Sequence, residues 1–260
     1  MATSLLHKLP NNLEVAYLNS NEADAVYREI FEGQSYSKYG ITFRDGDSVF
    51  DVGANIGLFT LFVHQKCRAP RVYAFEPVPA TFDKLQTNMA LYDLDVNLFD
   101  YGLSSESKET EITFYPNWSA MSGAYANVQE DEDLTRAYLN NLTRGTLPSD
   151  EITDILEGRF KAETVRCRMH TLSEVISEHR IQRIDLLKID VERSELDVLR
   201  GIEESDWPRI SQIVLEVHDR DRRLETIKTL LTHHDFNIVI DQDRLLENTE
   251  LYNLYAVKSN

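Results

Sequence analysis

The chain has 260 residues, 42% hydrophobic and 27% charged, the balance of a soluble globular protein with room for one large core. Its formal net charge of −17, from 44 acids against 27 lysines and arginines, argues against a sequence-independent grip on DNA or RNA. Two cysteines, Cys67 and Cys167, are too few for a disulfide scaffold or a zinc cluster, and no apolar run approaches the ~20 residues that cross a bilayer. The opening stretch, residues 1–10, has too short an apolar segment for a signal peptide, so a cytoplasmic protein is expected.

Residues 1–47 read as a helical lead-in to an α/β domain over 48–260. A helix is expected over 21–31, capped by Asn21 or Ser20, with Ala25, Val26, Ile30 and Phe31 as its apolar face. Tyr27, Phe31, Tyr36 and Tyr39 either cover the mouth of a ligand site or pack this helix down. The first strand, around Val49-Phe-Asp-Val, runs into Gly53-Ala-Asn55-Ile-Gly57, a tight turn leading to a helix near Ile56. Gly53 and Gly57 remove side chains where backbone passes close to a ligand, and Asn55 tolerates unusual dihedrals.

The second strand, Arg71 to Phe75, ends in Glu76-Pro77, and an acid at that tip can accept both hydroxyls of a ribose. Asp51, just before the first glycine, disfavours a pyrophosphate but suits an ammonium, reached directly or through water. An adenosine that also carries an ammonium and a sulfonium, as S-adenosylmethionine does, is therefore the expected ligand.

A crossover helix is expected over 81–91, then a third strand over 96–101 ending at Gly102-Leu103. Thr110 to Phe114 reads as a further strand. The segment from Pro116 to Lys161 breaks the alternation, with short helices expected near 134–142 and 151–156, and reads as a helical lid or substrate-binding insertion. Trp118, Tyr125 and Tyr138 within it suit either an extended apolar substrate or the core of the lid.

Ile184 to Ile189 is the next buried strand and delivers Asp190 and Glu192 to its end. Gln212 to His218 is its neighbour and delivers Glu216 and His218 to the same edge, a plausible proton-transfer constellation. Each member also has a structural reading, as a cap, a solvated turn or a buried hydrogen-bonding group. Arg220, Arg222 and Arg223 read as solvated surface, with docking of an acidic partner as the lesser alternative. A helix over 224–233 and strands over 237–240 and 253–257 close the sheet as a terminal hairpin. The whole is an α/β, Rossmann-like architecture similar to class I methyltransferases, a mostly parallel seven-stranded sheet with an antiparallel terminal strand.

Taken in order, Asp51-Val-Gly-Ala-Asn-Ile-Gly57, Phe75-Glu-Pro77, Gly102-Leu-Ser104, Leu187-Lys-Ile-Asp-Val-Glu192 with Glu195, and Val214-Leu-Glu-Val-His218 resemble the FkbM family of S-adenosylmethionine-dependent methyltransferases. The resemblance runs from about Phe50 to the C-terminus. Residues 9–31 also resemble members found in or beside polyketide and peptide synthases. One position departs: the family usually has glycine where this chain has Arg193, which puts the aim of Glu192 in question.

The resemblance implies an enzyme that moves a methyl group from S-adenosylmethionine to a hydroxyl of a secondary metabolite. The substrate would be a small molecule, a sugar, or an acyl chain on an acyl carrier protein, with neither nucleic acid nor membrane as partner. Nitrogen as acceptor, or a binding module without turnover, are the alternatives. Asp51 is expected at the amino-acid part of the cofactor and Glu76 with Pro77 at the ribose, with Gly53, Asn55, Gly57, Gly102 and Leu103 shaping the rest. His218 is the expected general base, because its unperturbed pKa of ~6.5 lets it accept a proton near neutrality. Asp190, Glu216 and Glu192 would orient it or the substrate. No metal is expected, with Mg2+ held by Asp190 and Glu192 as the lesser alternative.

Overall fold

The computed structural model describes residues 5–259. Residues 1–4, part of the segment weighed above as a signal peptide, and Asn260 lie outside the described residues. The lead-in opens with a short antiparallel hairpin of β1 (Leu6–Lys8) and β2 (Glu14–Ala16). Helix α1 (Ser20–Tyr27) follows, and its cap is Asn19, one residue before the expected candidates, whose side chain accepts from the amides of Asn21 and Glu22. The expected helix continues beyond Tyr27 as a π-type turn, Arg28–Glu32. Such turns insert an extra residue and re-aim the side chains they carry.

The main sheet is built from β3 (Ser48–Val52), β4 (Arg71–Phe75) and β5 (Val96–Phe99), joined by α2 (Leu58–Lys66) and α3 (Pro79–Leu91). The chain then leaves it for β6 (Gly102–Leu103), β7 (Lys108–Phe114), α4 (Val128–Thr143), α5 (Ser149–Leu156), β8 (Glu163–His170) and α6 (Leu172–Glu178). It returns as β9 (Leu186–Ile189), α7 (Glu195–Arg200), β10 (Gln212–His218), α8 (Arg223–His233), β11 (Phe236–Asp241) and β12 (Leu251–Lys258).

Seven strands pair in the order β11-β12-β10-β9-β3-β4-β5, and only β12 runs against its neighbours. Helices cover both faces, which is why the central strands read as unbroken apolar runs. Alternate residues serve opposite cores. Phe50, Leu187 and Leu215 pack on one face, while Val49, Leu186 and Val214 pack on the other.

The β1–β2 hairpin, β8 and α6 were not read from the sequence, and β6 was read as the end of a strand running into a loop. Charged residues Glu163, Arg166 and Arg168 interrupt β8, because one of its faces is exposed and it belongs to a separate three-stranded sheet, β6-β8-β7. That sheet carries the insertion on its β7–β8 side, with a small core of its own that includes Tyr115, Ile152, Leu156 and Phe160. Trp118 packs against this core, and Arg159 stacks 4.1 Å above its ring. Tyr125 is exposed and donates to Asp197. These aromatics belong to the lid rather than to a substrate cavity.

Candidate active site

A cavity opens at the C-terminal ends of β3, β4, β9 and β10, where the loops of an open parallel sheet converge. Its roof is residues 119–124 of the insertion. Glu22 of α1, only 3% exposed, holds that roof down by accepting from the Ser119 amide, the Ser119 hydroxyl and the Ala120 amide at 2.6–3.0 Å. Both the lead-in and the insertion therefore contribute to one enclosure.

The glycine turn forms its floor. Gly53 has φ +78°, and a Cβ there would lie 1.8 Å from the carbonyl oxygen of Asp190. Gly57 has φ +92°, and its Cβ would meet Leu85 and Met89 at 2.7–2.8 Å. The space these glycines leave is taken up by the protein itself, β9 in one case and α3 in the other. Asn55 has φ +49°, donates its amide to Glu76 at 3.0 Å, and accepts from the Ile56 amide through its side chain at 2.6 Å. The helix starts at Leu58, two residues later than expected.

Glu76 accepts from the Asn55 amide on one oxygen and the Val78 amide on the other, at 3.0 and 2.9 Å. Each oxygen keeps a lone pair, and the residue lines the cavity. Burial pushes its carboxyl up to about 7, and the two amide donors only partly oppose this. Pro77, Gly102 and Leu103 line the same cavity beside it, as expected, although the last two sit in the second sheet.

Asp51 does not reach the cavity. It is 0% exposed and lies opposite Lys188 in the β3–β9 register. It accepts from the Thr60 hydroxyl at 2.7 Å, and the Lys188 ammonium stands 3.2 Å away. Strand alternation turns Asp51 toward α2, so its carboxylate anchors a lysine instead of meeting a ligand. Lys188 lines the cavity, donates to the Gly53 carbonyl at 2.8 Å and lies 3.4 Å from Asp190. Burial opposes its charge, but Asp190 and Asp51 outweigh burial and hold its pKa above the ordinary lysine value. Its sequence signal was a lone cation inside an apolar strand.

One wall is acidic. Asp190, Glu192 and Glu216 each place an oxygen within 4.8 Å of the other two, and all three line the cavity. Oxygens of this number and type suit a hard divalent cation, but Lys188 already sets one positive charge against them. Tyr36, one of the aromatics read as either covering the site or packing the lead-in helix down, donates to Asp190 at 2.9 Å. Burial, then repulsion from Asp190 and Glu29, pushes Glu216 well above the usual carboxylate range. Burial raises Glu192 to about 8, opposed chiefly by His218. Glu29, an exposed residue on the π-type turn, also lines the cavity, where desolvation of its carboxyl and then repulsion from Asp190 raise its pKa. Sequence reading missed Glu29 because the re-aimed turn, not the helix period, brings it here.

His218 stands behind this wall rather than in it. It is 5% exposed, with Nε2 3.3 Å from Glu192 and Nδ1 3.4 Å from Glu195, and Glu192 separates it from the cavity. The expectation that His218 itself faces the reacting centre fails, because the Glu192 side chain fills that position. Burial lowers the imidazole pKa, but the Glu195 hydrogen bond and the Glu192 charge outweigh it and leave it raised. Glu192 and Arg193 have φ of +46° and +71°, so the turn does need the conformation a glycine would adopt freely. Arg220 and Arg223, read as solvated surface, bind Glu130 and Glu195.

A seven-stranded sheet with one antiparallel strand, a glycine turn after β3 and an acid at the tip of β4 define a Rossmann-like methyltransferase. A solved FkbM methyltransferase from Methylobacillus flagellatus shares this fold, with a TM-score of 0.52 at 14% identity over 85% of this chain and 47% of that one. Residues 51–238 match the methyltransferase FkbM domain, and the chain belongs to that family. It is 40% identical to the 31-O-demethyl-FK506 methyltransferase FkbM of Streptomyces tacrolimicus over 96% of this chain and 95% of that protein. It is 44% identical to the AMB antimetabolite synthetase AmbE of Pseudomonas aeruginosa over 96% of this chain, which spans only 12% of that synthetase. Among the described residues no helix is long and apolar enough to cross a membrane.

Proposed function

We propose that this chain is an S-adenosylmethionine-dependent O-methyltransferase that acts on a hydroxyl of a secondary metabolite, free or carried as an acyl chain on a carrier protein. The observation that carries the reading is Glu76. Its carboxylate is anchored by two amides, retains acceptor capacity on both oxygens and lines the cavity beside the glycine turn. Two vicinal ribose hydroxyls are the donors that such a carboxylate takes. Apolar Val78, Leu103, Ile112 and Met169 on the same stretch suit a purine ring. The bound cofactor supplies an electrophilic methyl group on sulfur.

The chain's own residues do the rest. The acidic wall orients a hydroxyl through Asp190 and Glu216, and Glu192, whose carboxyl titrates near 8, takes its proton. The roof over 119–124 excludes water, so positioning supplies much of the rate. Oxygen as acceptor is supported by the likeness to the 31-O-demethyl-FK506 methyltransferase, and the match to one stretch of a much longer antimetabolite synthetase supports a substrate handled within a larger assembly.

Calorimetric titration of S-adenosylmethionine into wild type and Glu76→Gln tests the reading. Wild type should bind, and Glu76→Gln should bind about 10- to 100-fold more weakly, the worth of hydrogen bonds to a charged acceptor. A labelled methyl traced by its carbon shift into product then distinguishes oxygen from nitrogen. Wild type that takes up no cofactor would defeat the proposal.

A further inference from the structure

We infer that Glu192, His218 and Glu195 form a proton relay, in which Glu195 fixes the imidazole so that Nε2 serves the cavity carboxylate. The inference rests on the function proposed above. The three residues follow one another from the cavity, Glu192 then His218 then Glu195, and are 7%, 5% and 0% exposed. Only Glu192 lines the cavity, so the outer two act through it.

The direction of the relay follows from the donors around Glu195. One of its oxygens accepts from the Arg193 amide at 2.7 Å, and the Arg223 guanidinium stands 3.7 Å from the other. Arg223 is itself tied to the carbonyl of Arg193. A carboxylate held this way is an acceptor, so the imidazole edge that meets it, Nδ1, must bring the hydrogen. Nε2 then keeps its lone pair, and the nearer Glu192 oxygen stands 3.3 Å from it without a hydrogen bond between them, so a small rotation of either side chain is what engages the pair. Both atoms are buried and neither has a hydrogen-bond partner, which leaves them free for each other.

Other charges also face the imidazole. Arg193 comes from the same turn as Glu192, and Glu130 and Asp133 of α4, Arg220 and Glu250 face it across a surface cleft. The basic members oppose the imidazolium and the acidic members favour it, while the two glutamates in direct contact dominate by proximity.

During transfer the acceptor O–H bond breaks and its proton goes to Glu192. The oxygen lone pair forms the new C–O bond, and the electrons of the broken S–C bond stay on sulfur. Glu192 passes the proton to Nε2 and is again a carboxylate, leaving an imidazolium between two glutamates. Solvent takes the proton when the site reopens. The relay works only when it starts without that proton, so the rate should rise as pH increases through the titration of the Glu192–His218 pair.

The test uses the full chain with 15N-labelled histidine and long-range proton–nitrogen spectra, in wild type and Glu195→Gln. Loss of one signal set in His218→Asn identifies His218 among the seven histidines. At a pH above the titration of the Glu192–His218 pair, wild type should show neutral His218 with its hydrogen on Nδ1. In Glu195→Gln the amide can donate to Nδ1, and the hydrogen should move to Nε2. With the acceptor returned by the labelled-methyl screen, Glu195→Gln should lower kcat by about 10²- to 10⁴-fold with KM for S-adenosylmethionine unchanged. Glu195→Asp should recover part of that loss. An Nε2–H tautomer in wild type, or a tautomer indifferent to Glu195→Gln, overturns the relay even if the cofactor binds. Wild type that fails to bind cofactor defeats the parent reading instead, and the tautomer still decides the relay.

Discussion

Arg193 on the β9–α7 turn and Asp131 in α4, 62 residues apart, meet as a buried ion pair that ties the insertion to the edge of the main sheet. Asp131 is 0% exposed and also accepts from the Tyr115 hydroxyl at 2.7 Å. The arginine that displaces the family's usual glycine thus has a structural role, because its side chain compensates for a backbone held at φ +71°.

Arg193→Gly should therefore destabilise the protein although it relaxes the backbone. Relief of the left-handed conformation is worth ~1–2 kcal/mol, whereas leaving Asp131 buried and unpaired costs ~3–5 kcal/mol. A net loss of about 2 kcal/mol should appear in urea unfolding, and adding Asp131→Asn should recover part of it. A more stable Arg193→Gly protein would contradict this balance.

Gly53→Ala should lose ~3 kcal/mol or more, or fail to fold, because its Cβ would sit inside the Asp190 carbonyl. A soluble Gly53→Ala protein with wild-type Tm would show that β9 can move away from the turn.

Lys188→Met should be as damaging, at ~3–5 kcal/mol, because it strands the buried Asp51 carboxylate. The double variant Lys188→Met with Asp51→Asn should be more stable than Lys188→Met alone, as measured by denaturant midpoints. If the double variant is no better, the pair is not what holds β3 to β9 at that register.

Stability without ligand should fall as pH rises from about 5 to about 8. Glu76 at about 7, Glu192 at about 8 and Glu216 well above the ordinary value are all raised in the folded state. The folded protein therefore holds more protons than the unfolded chain across that window, and stability declines as those protons leave. His218 is raised as well and acts in the same sense at its upper end. Thermal unfolding at several pH values should show the highest Tm near the acid end, and Glu192→Gln should flatten the slope. A Tm that climbs through this range would show that these groups are not perturbed as described.

Much of the architecture was legible because it rests on short-range rules. Continuous apolar runs bounded by Gly53 and Glu76 could only be buried strands meeting loops at one edge, whereas the order of the strands in the sheet came only from the structure. Among what escaped were the short β1–β2 hairpin, β8, whose charged face hid its period, and Glu29, which a π-type turn re-aims into the wall.

The site divides along the same line. Glu76 lies at the cavity because a strand tip has one exit, whereas Asp51, inside a strand, has two faces, and only the Lys188 partner across the β3–β9 register decides between them. The sequence by itself determined the family, the fold and the residues that converge on one edge. Whether Glu192 or His218 meets the cavity, and what compensates for an arginine at a glycine position, was decided by contacts between residues distant in the chain. Such contacts depend on side-chain packing across elements, and no local pattern encodes it.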